Sequence, residues 1–286
     1  MSFKIVSDSS SNVLSMGDSN YTTVPLKIIA EKEYVDDTAL DLSGMMEDLR
    51  NHKGKSGSSC PNVGEWLEAF GDAEEVFCVT ISKNLSGSYA ASVQAGETYM
   101  AEHPGAKVFT FDSLAVGPEM MLIVEKIRAC EAAGDDYETT KAKVLEYHNH
   151  LHTVFCLESM LNLARNGRVS MAVAKIAGML GIRVVGIAQG GRVTPIHKPR
   201  GAKKATQTIV AMIKERGFAD GNTLRIAQCY AQEALDALCE AIREEFPNTR
   251  FVLEHTTALC SFYAEAGGLI IGFEGTFNEE NDNTQY

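Results

Sequence analysis

Short apolar runs alternate with longer amphipathic stretches through the first half of the chain. Phe3–Val6, Thr22–Ile29, Val76–Ile81 and Lys107–Phe111 are apolar, β-branched or aromatic and read as buried strands. A helical pattern starts near Pro61, a residue suited to a first turn, and carries Trp66, Leu67 and Phe70. Further helices read from about Ser86 towards Met100, from Pro118 through Ile127, and over Tyr137–His150. This alternation predicts a largely parallel sheet flanked by helices.

Beyond that point the pattern changes. Thr153–Cys156, Ile182–Ala188, Arg192–Pro195, Leu224–Cys229, Arg250–Glu254 and Leu269–Phe273 read as strands, and Gln189-Gly190-Gly191 as a hairpin turn. Helices are expected over Glu158–Asn166, Met171–Leu180, Lys203–Glu215 and Gln232–Glu245. A hairpin among the strands implies a mixed or antiparallel sheet. The expected architecture is α/β in two domains. Residues 1–152 form a mostly parallel sheet flanked by helices, and residues 153–286 form a second α/β domain with a mixed or antiparallel sheet. The polar tail Asn278–Tyr286 reads as frayed.

Composition narrows the class. Apolar residues make up 45% and charged residues 22% of the 286, which excludes a disordered chain. No apolar run is long enough to span a bilayer, and the N-terminus lacks a signal peptide's apolar core. Seven scattered cysteines without a C-x-x-C pair argue against a disulfide framework or zinc site, and for a reducing cytoplasm. The net charge is −12, with 12 basic and 24 acidic residues up to position 150 and 14 of each afterwards. Between Glu158 and Lys204 there are nine basic residues and one acid, a cluster that can attract an anion or an acidic partner. An acidic chain with a pI of about 5.1 lacks the basic footprint of a nucleic-acid-binding protein.

Candidate chemistry lies where strands end. Phe3–Val6 runs into Ser7-Asp8-Ser9-Ser10-Ser11, Val76–Ile81 into Ser82 through Ser88, and Lys107–Phe111 into Asp112-Ser113. Ser56 through Pro61 brings further hydroxyls to a helix start. In open parallel sheets ligands bind beyond these strand ends, where unpaired helix N–H groups suit an anion. Ser, Asp and Asn are equally the preferred helix caps, so pattern alone leaves both readings open. The chain has no G-x-S-x-G, G-x-G-x-x-G, Walker or H-E-x-x-H motif. His148, His150 and His152 have no nearby Asp, Glu or Cys at ligand spacing, so no metal is expected.

Seven motifs in order then give a resemblance. Lys4-Ile5-Val6-Ser7-Asp8-Ser9, Val24-Pro25-Leu26, Ser58-Ser59-Cys60-Pro61-Asn62 and Ser82-Lys83-Asn84-Leu85-Ser86-Gly87-Ser88-Tyr89 are followed by Asp112-Ser113. Gly167-Arg168-Val169-Ser170 and Lys198-Pro199-Arg200-Gly201 with Lys203-Lys204-Ala205 complete the series. Together they resemble the DegV family of bacterial fatty-acid-binding proteins, which includes the acyl-binding subunit of fatty acid kinase. The resemblance implies a long-chain fatty acid held between two α/β domains, with its carboxylate at Ser58 or Ser59, at Ser86 and at the Gly87 N–H, and with Arg168 nearby. It implies no other cofactor. Two departures stand out. Cys60 replaces the family's Gln, and Tyr263 stands where many members carry a His before the closing strand. A Tyr hydroxyl can still donate to a carboxylate.

The expected function is a non-enzymatic carrier that presents its fatty acid to a separate kinase. Lys198, Arg200 and Lys204 are candidates for an acidic partner or a developing acyl phosphate. Two other readings are a lipid-sensing module that binds a protein partner and an acyl hydrolase using Ser86. The hydrolase needs a base beside that hydroxyl.

Overall fold

The computed structural model describes residues 3–177 and 179–277. The tail Asn278–Tyr286 lies outside them. Four strands near the N-terminus form a parallel sheet in the order β2-β1-β6-β7: β1 (Phe3–Asp8), β2 (Tyr21–Val24), β6 (Glu75–Thr80) and β7 (Lys107–Asp112). Ile5, Val6, Phe77 and Cys78 are all buried, as in a sheet covered on both faces. The covering helices are α2 (Val63–Phe70), α3 (Ser88–Glu102), α4 (Pro118–Ala132) and α5 (Tyr137–His148). α2 starts after the predicted Pro61, at an Asn62–Glu65 capping box.

The expected single strand Thr22–Ile29 is two. Pro25 lacks an N–H and ends β2, and after it β3 (Lys27–Ile29) joins a separate antiparallel sheet. Its neighbours there are β4 (Glu33–Val35) and β5 (Gly57–Ser59). Ser58 and Ser59 therefore sit on a strand, not at the helix start expected of them. α1 (Leu42–Asn51), capped by Asp41, fills the connection from β4 to β5.

A six-stranded mixed sheet follows, in the order β10-β9-β8-β13-β11-β12. Its strands are β8 (Leu151–Leu157), β9 (Val184–Gln189), β10 (Arg192–His197), β11 (Thr223–Cys229), β12 (Arg250–His255) and β13 (Gly268–Glu274). Only β11 and β12 pair in parallel. Gly190 and Gly191, at φ of 53° and 75°, supply the left-handed turn of the β9–β10 hairpin. The associated helices are α6 (Leu161–Arg165), α7 (Met171–Ala177), α8 (Ala202–Glu215), α9 (Gln232–Glu245) and α10 (Ala258–Ala264). α6 and α7 are shorter than the helices predicted there.

Two helices join the sheets. α4 packs on strands of both, and β13 approaches so closely that a Cβ at Gly272 would lie 2.7 Å from the Glu119 nitrogen. α10 sends Ala258, Leu259 and Phe262 into the apolar cluster beneath the first sheet, beside Ile5, Phe77 and Met120.

Candidate ligand-binding site

The serine-rich loop after β1 turns inward. Ser7 through Ser11 are fully buried, and the Asp8 carboxylate accepts from the Ser10 N–H and hydroxyl, the Ile81 N–H at 3.0 Å and the Ser88 hydroxyl at 2.6 Å. Burial pushes the Asp8 carboxyl up, and these hydrogen bonds oppose the shift. Asp8 thus ties β1, β6 and the start of α3 together, and this loop is scaffold for its neighbours.

The loop from Ser82 to Gly87 is held from three sides. Its own turn is closed by the Leu85 and Ser86 N–H groups, both donating to the Ser82 carbonyl. The Ser82 hydroxyl and the Asn84 amide donate to the carbonyls of Gly191 and Gly190, at 2.7 and 2.8 Å, fixing the β9–β10 hairpin against the loop. The Arg168 guanidinium donates to the Leu85 carbonyl through Nε and Nη2 and to the Asn166 carbonyl through Nη1. Ser86 is thereby set at the beginning of α3, where Gly87 stands at the N-terminus without a side-chain cap. The Ser86 oxygen accepts the Ser88 N–H at 3.3 Å, which leaves its own proton available.

Opposite this loop, Ser58 on β5 and Tyr263 on α10 share a hydrogen bond of 2.8 Å. Two hydroxyl protons serve one bond, so one remains for a ligand. The Tyr263 ring also lies 5.7 Å from the Arg168 guanidinium. Ser58, Ser86, Arg168 and Tyr263 are half-buried and line a single cavity. Its deeper wall is apolar and comes from both halves of the chain, with Leu26, Ile81 and Ala115 facing Phe155, Leu157, Ile187, Leu259 and Ile270. Thr153 also lines it and donates its proton to Glu119 at 2.6 Å.

Ser59 follows Ser58 on β5 and, by strand alternation, takes the opposite face; it is absent from the cavity wall. Gly87, Lys198, Arg200 and Lys204 are exposed and also stand apart from the cavity lining. Sequence reasoning missed Arg192 and Cys260, which line the cavity, and Asp36, which supports it. The buried Asp36 carboxylate accepts the Ala258 and Leu259 N–H groups at 2.8 and 3.1 Å, capping the helix that carries Tyr263. Among the described residues no cluster of His, Cys, Asp and Glu could hold a metal. No helix among them is long and apolar enough to cross a membrane.

A sequence model of the DegV family, described as uncharacterised proteins, matches residues 2–275. The chain belongs to the DegV family. A DegV domain-containing protein of Streptococcus pneumoniae is 35% identical over 280 residues, spanning 96% of this chain and 99% of that protein. Two solved DegV structures superpose with a TM-score of 0.93 over 96% of this chain. One is a DegV family protein of Eubacterium eligens loaded with heptadecanoic acid, 36% identical and covered in full. The other is the Streptococcus pneumoniae Fatty Acid Kinase (Fak) B3 protein loaded with linoleic acid, 35% identical and 99% covered. This DegV chain shares their mixed α/β fold, with one parallel and one mixed sheet flanked by helices.

Proposed function

We propose that this DegV protein binds one long-chain fatty acid and presents it to a separate kinase for acyl-phosphate formation. The observation that carries the reading is the meeting of the Ser58–Tyr263 pair, Ser86 and Arg168 at one apolar cavity. The fatty acids held by the two similar structures support it. The fatty acid's carboxylate accepts from Ser86 and from the Ser58–Tyr263 pair, close to the positive end of α3. Ser58 rather than Ser59 serves here, and Arg168 acts as a nearby positive charge that also fixes the loop. The acyl chain lies along the apolar wall, where each buried CH₂ contributes about 0.8 kcal/mol before ordering costs.

In this reading the protein is a carrier, and Ser86 is a hydrogen-bond donor to the head group rather than a nucleophile. Among the described residues that line the cavity there is no imidazole or carboxylate to deprotonate Ser86. The kinase of the reading is suggested by the Fak B3 relative, and the exposed Lys198, Arg200 and Lys204 offer a basic surface to an acidic partner. A cytoplasmic setting suits seven free thiols, six of them buried.

Native mass spectrometry of the purified protein, followed by denaturation and lipid analysis, tests the carrier reading. The expected result is a one-to-one adduct of fatty-acid mass that is released on unfolding. A protein that carries no lipid and takes up neither palmitate nor oleate would overturn it.

A further inference from the structure

The cavity holds a second cation that the carboxylate does not need. Arg192 lines the cavity, is exposed and therefore stands at its rim, and has no ion pair or side-chain hydrogen bond among the described residues. Arg168, in contrast, already spends three of its N–H bonds on the carbonyls of Leu85 and Asn166. Among the described residues that line the cavity there is no Asp or Glu to neutralise either guanidinium. Arg192 is also placed with care. It follows Gly191, whose carbonyl accepts from Ser82, while the Ser82 carbonyl accepts the Ser86 N–H at 3.1 Å. The chain's own hydrogen bonds therefore tie the root of Arg192 to the loop that presents Ser86, and a long side chain at the rim is free to reach an anion there.

From this we infer that Arg192 is a specificity residue that binds the second negative charge which a phosphoryl group adds at the head of the ligand. The inference rests on the carrier reading. In the reaction a kinase would perform, a carboxylate oxygen forms a bond to the terminal phosphorus of a nucleoside triphosphate. The bridging P–O bond breaks, and its electron pair leaves with the nucleoside diphosphate. The product keeps the acyl chain and gains a phosphoryl group that extends past Ser86 towards the rim. A planar guanidinium matches that group through two parallel N–H bonds.

The test compares palmitate with hexadecyl phosphate, a stable monoester that is dianionic at mildly alkaline pH. Titrations would use the delipidated wild type, Arg192→Gln and Arg192→Lys. Arg192→Gln is expected to weaken hexadecyl phosphate about tenfold, the scale of a charge-assisted hydrogen bond, and to change palmitate by less than about twofold. Arg192→Lys should recover part of the loss. Equal losses for both ligands, or none for either, would overturn the role of Arg192. So would a wild type that binds palmitate but not hexadecyl phosphate. A wild type that binds neither would defeat the carrier reading itself.

Discussion

Ser86 brings a proton, an anchored backbone and a helix start to one point, which makes its hydroxyl the most exacting single group of the site. Ser86→Ala should weaken palmitate binding about tenfold, since hydrogen bonds to charged groups contribute about 1.5–3 kcal/mol. Displacement of a fluorescent fatty acid from the folded variant measures it, and unchanged affinity would remove Ser86 from the head-group site. A second residue-scale prediction concerns pH. Burial on β8, with Arg216 adding to it, lowers His152 from 6.5 to about 4. The unfolded chain then takes up a proton that the folded protein refuses, so His152 costs stability as pH falls from about 6.5 to about 4. Urea midpoints should drop across that window, and His152→Gln should flatten the drop. That Ser58, Ser86, Arg168 and Tyr263 would come together was legible because each sits in a stretch that can be matched to a family motif. That Ser58 and not Ser59 faces the cavity was not, since it depends on the alternation of a strand where the pattern gives a helix start. Arg192 was hidden for a similar reason, as an Arg after two glycines looks like any exposed strand start.

At the scale of elements, α10 depends on a residue far from it in sequence. Asp36, in the loop after β4, caps it, and the Asn12 side chain accepts the Thr257 N–H at 3.0 Å. Asp36→Ala leaves two helix N–H groups and the Thr257 hydroxyl without this partner, at a cost of about 1–3 kcal/mol. The expected outcome is a lower denaturation midpoint together with weaker fatty-acid binding, because Tyr263 loses its alignment with Ser58. A lower midpoint with full affinity would mean that the cap supports the fold alone. The parallel strands and the β9–β10 hairpin were readable from apolar runs and from Gly190-Gly191. The division of Thr22–Ile29 does not show in the run of apolar positions, although Pro25 marks it. α10 lay hidden because Ala258 through Phe262 is buried on nearly every side and shows no polar face to set a helical period.

For the molecule as a whole, the cavity wall is drawn from both halves of the chain, so a bound acyl chain joins the two sheets' cores. Ligand that binds only the folded state stabilises it by about 2.7 kcal/mol at a hundred times Kd. Scanning calorimetry of delipidated protein should therefore show a single transition that moves up by several degrees with excess palmitate, and no such movement with a short-chain acid at equal concentration. The packing of α10 has a consequence for biosynthesis. Translation is vectorial, and the first sheet can assemble well before residues 258–264 have been made. Until then its apolar cluster lacks Leu259 and Phe262, and the future cavity lies open to water. The nascent chain thus exposes apolar surface until its final helix is made, and the cavity wall is complete only once that helix has been added.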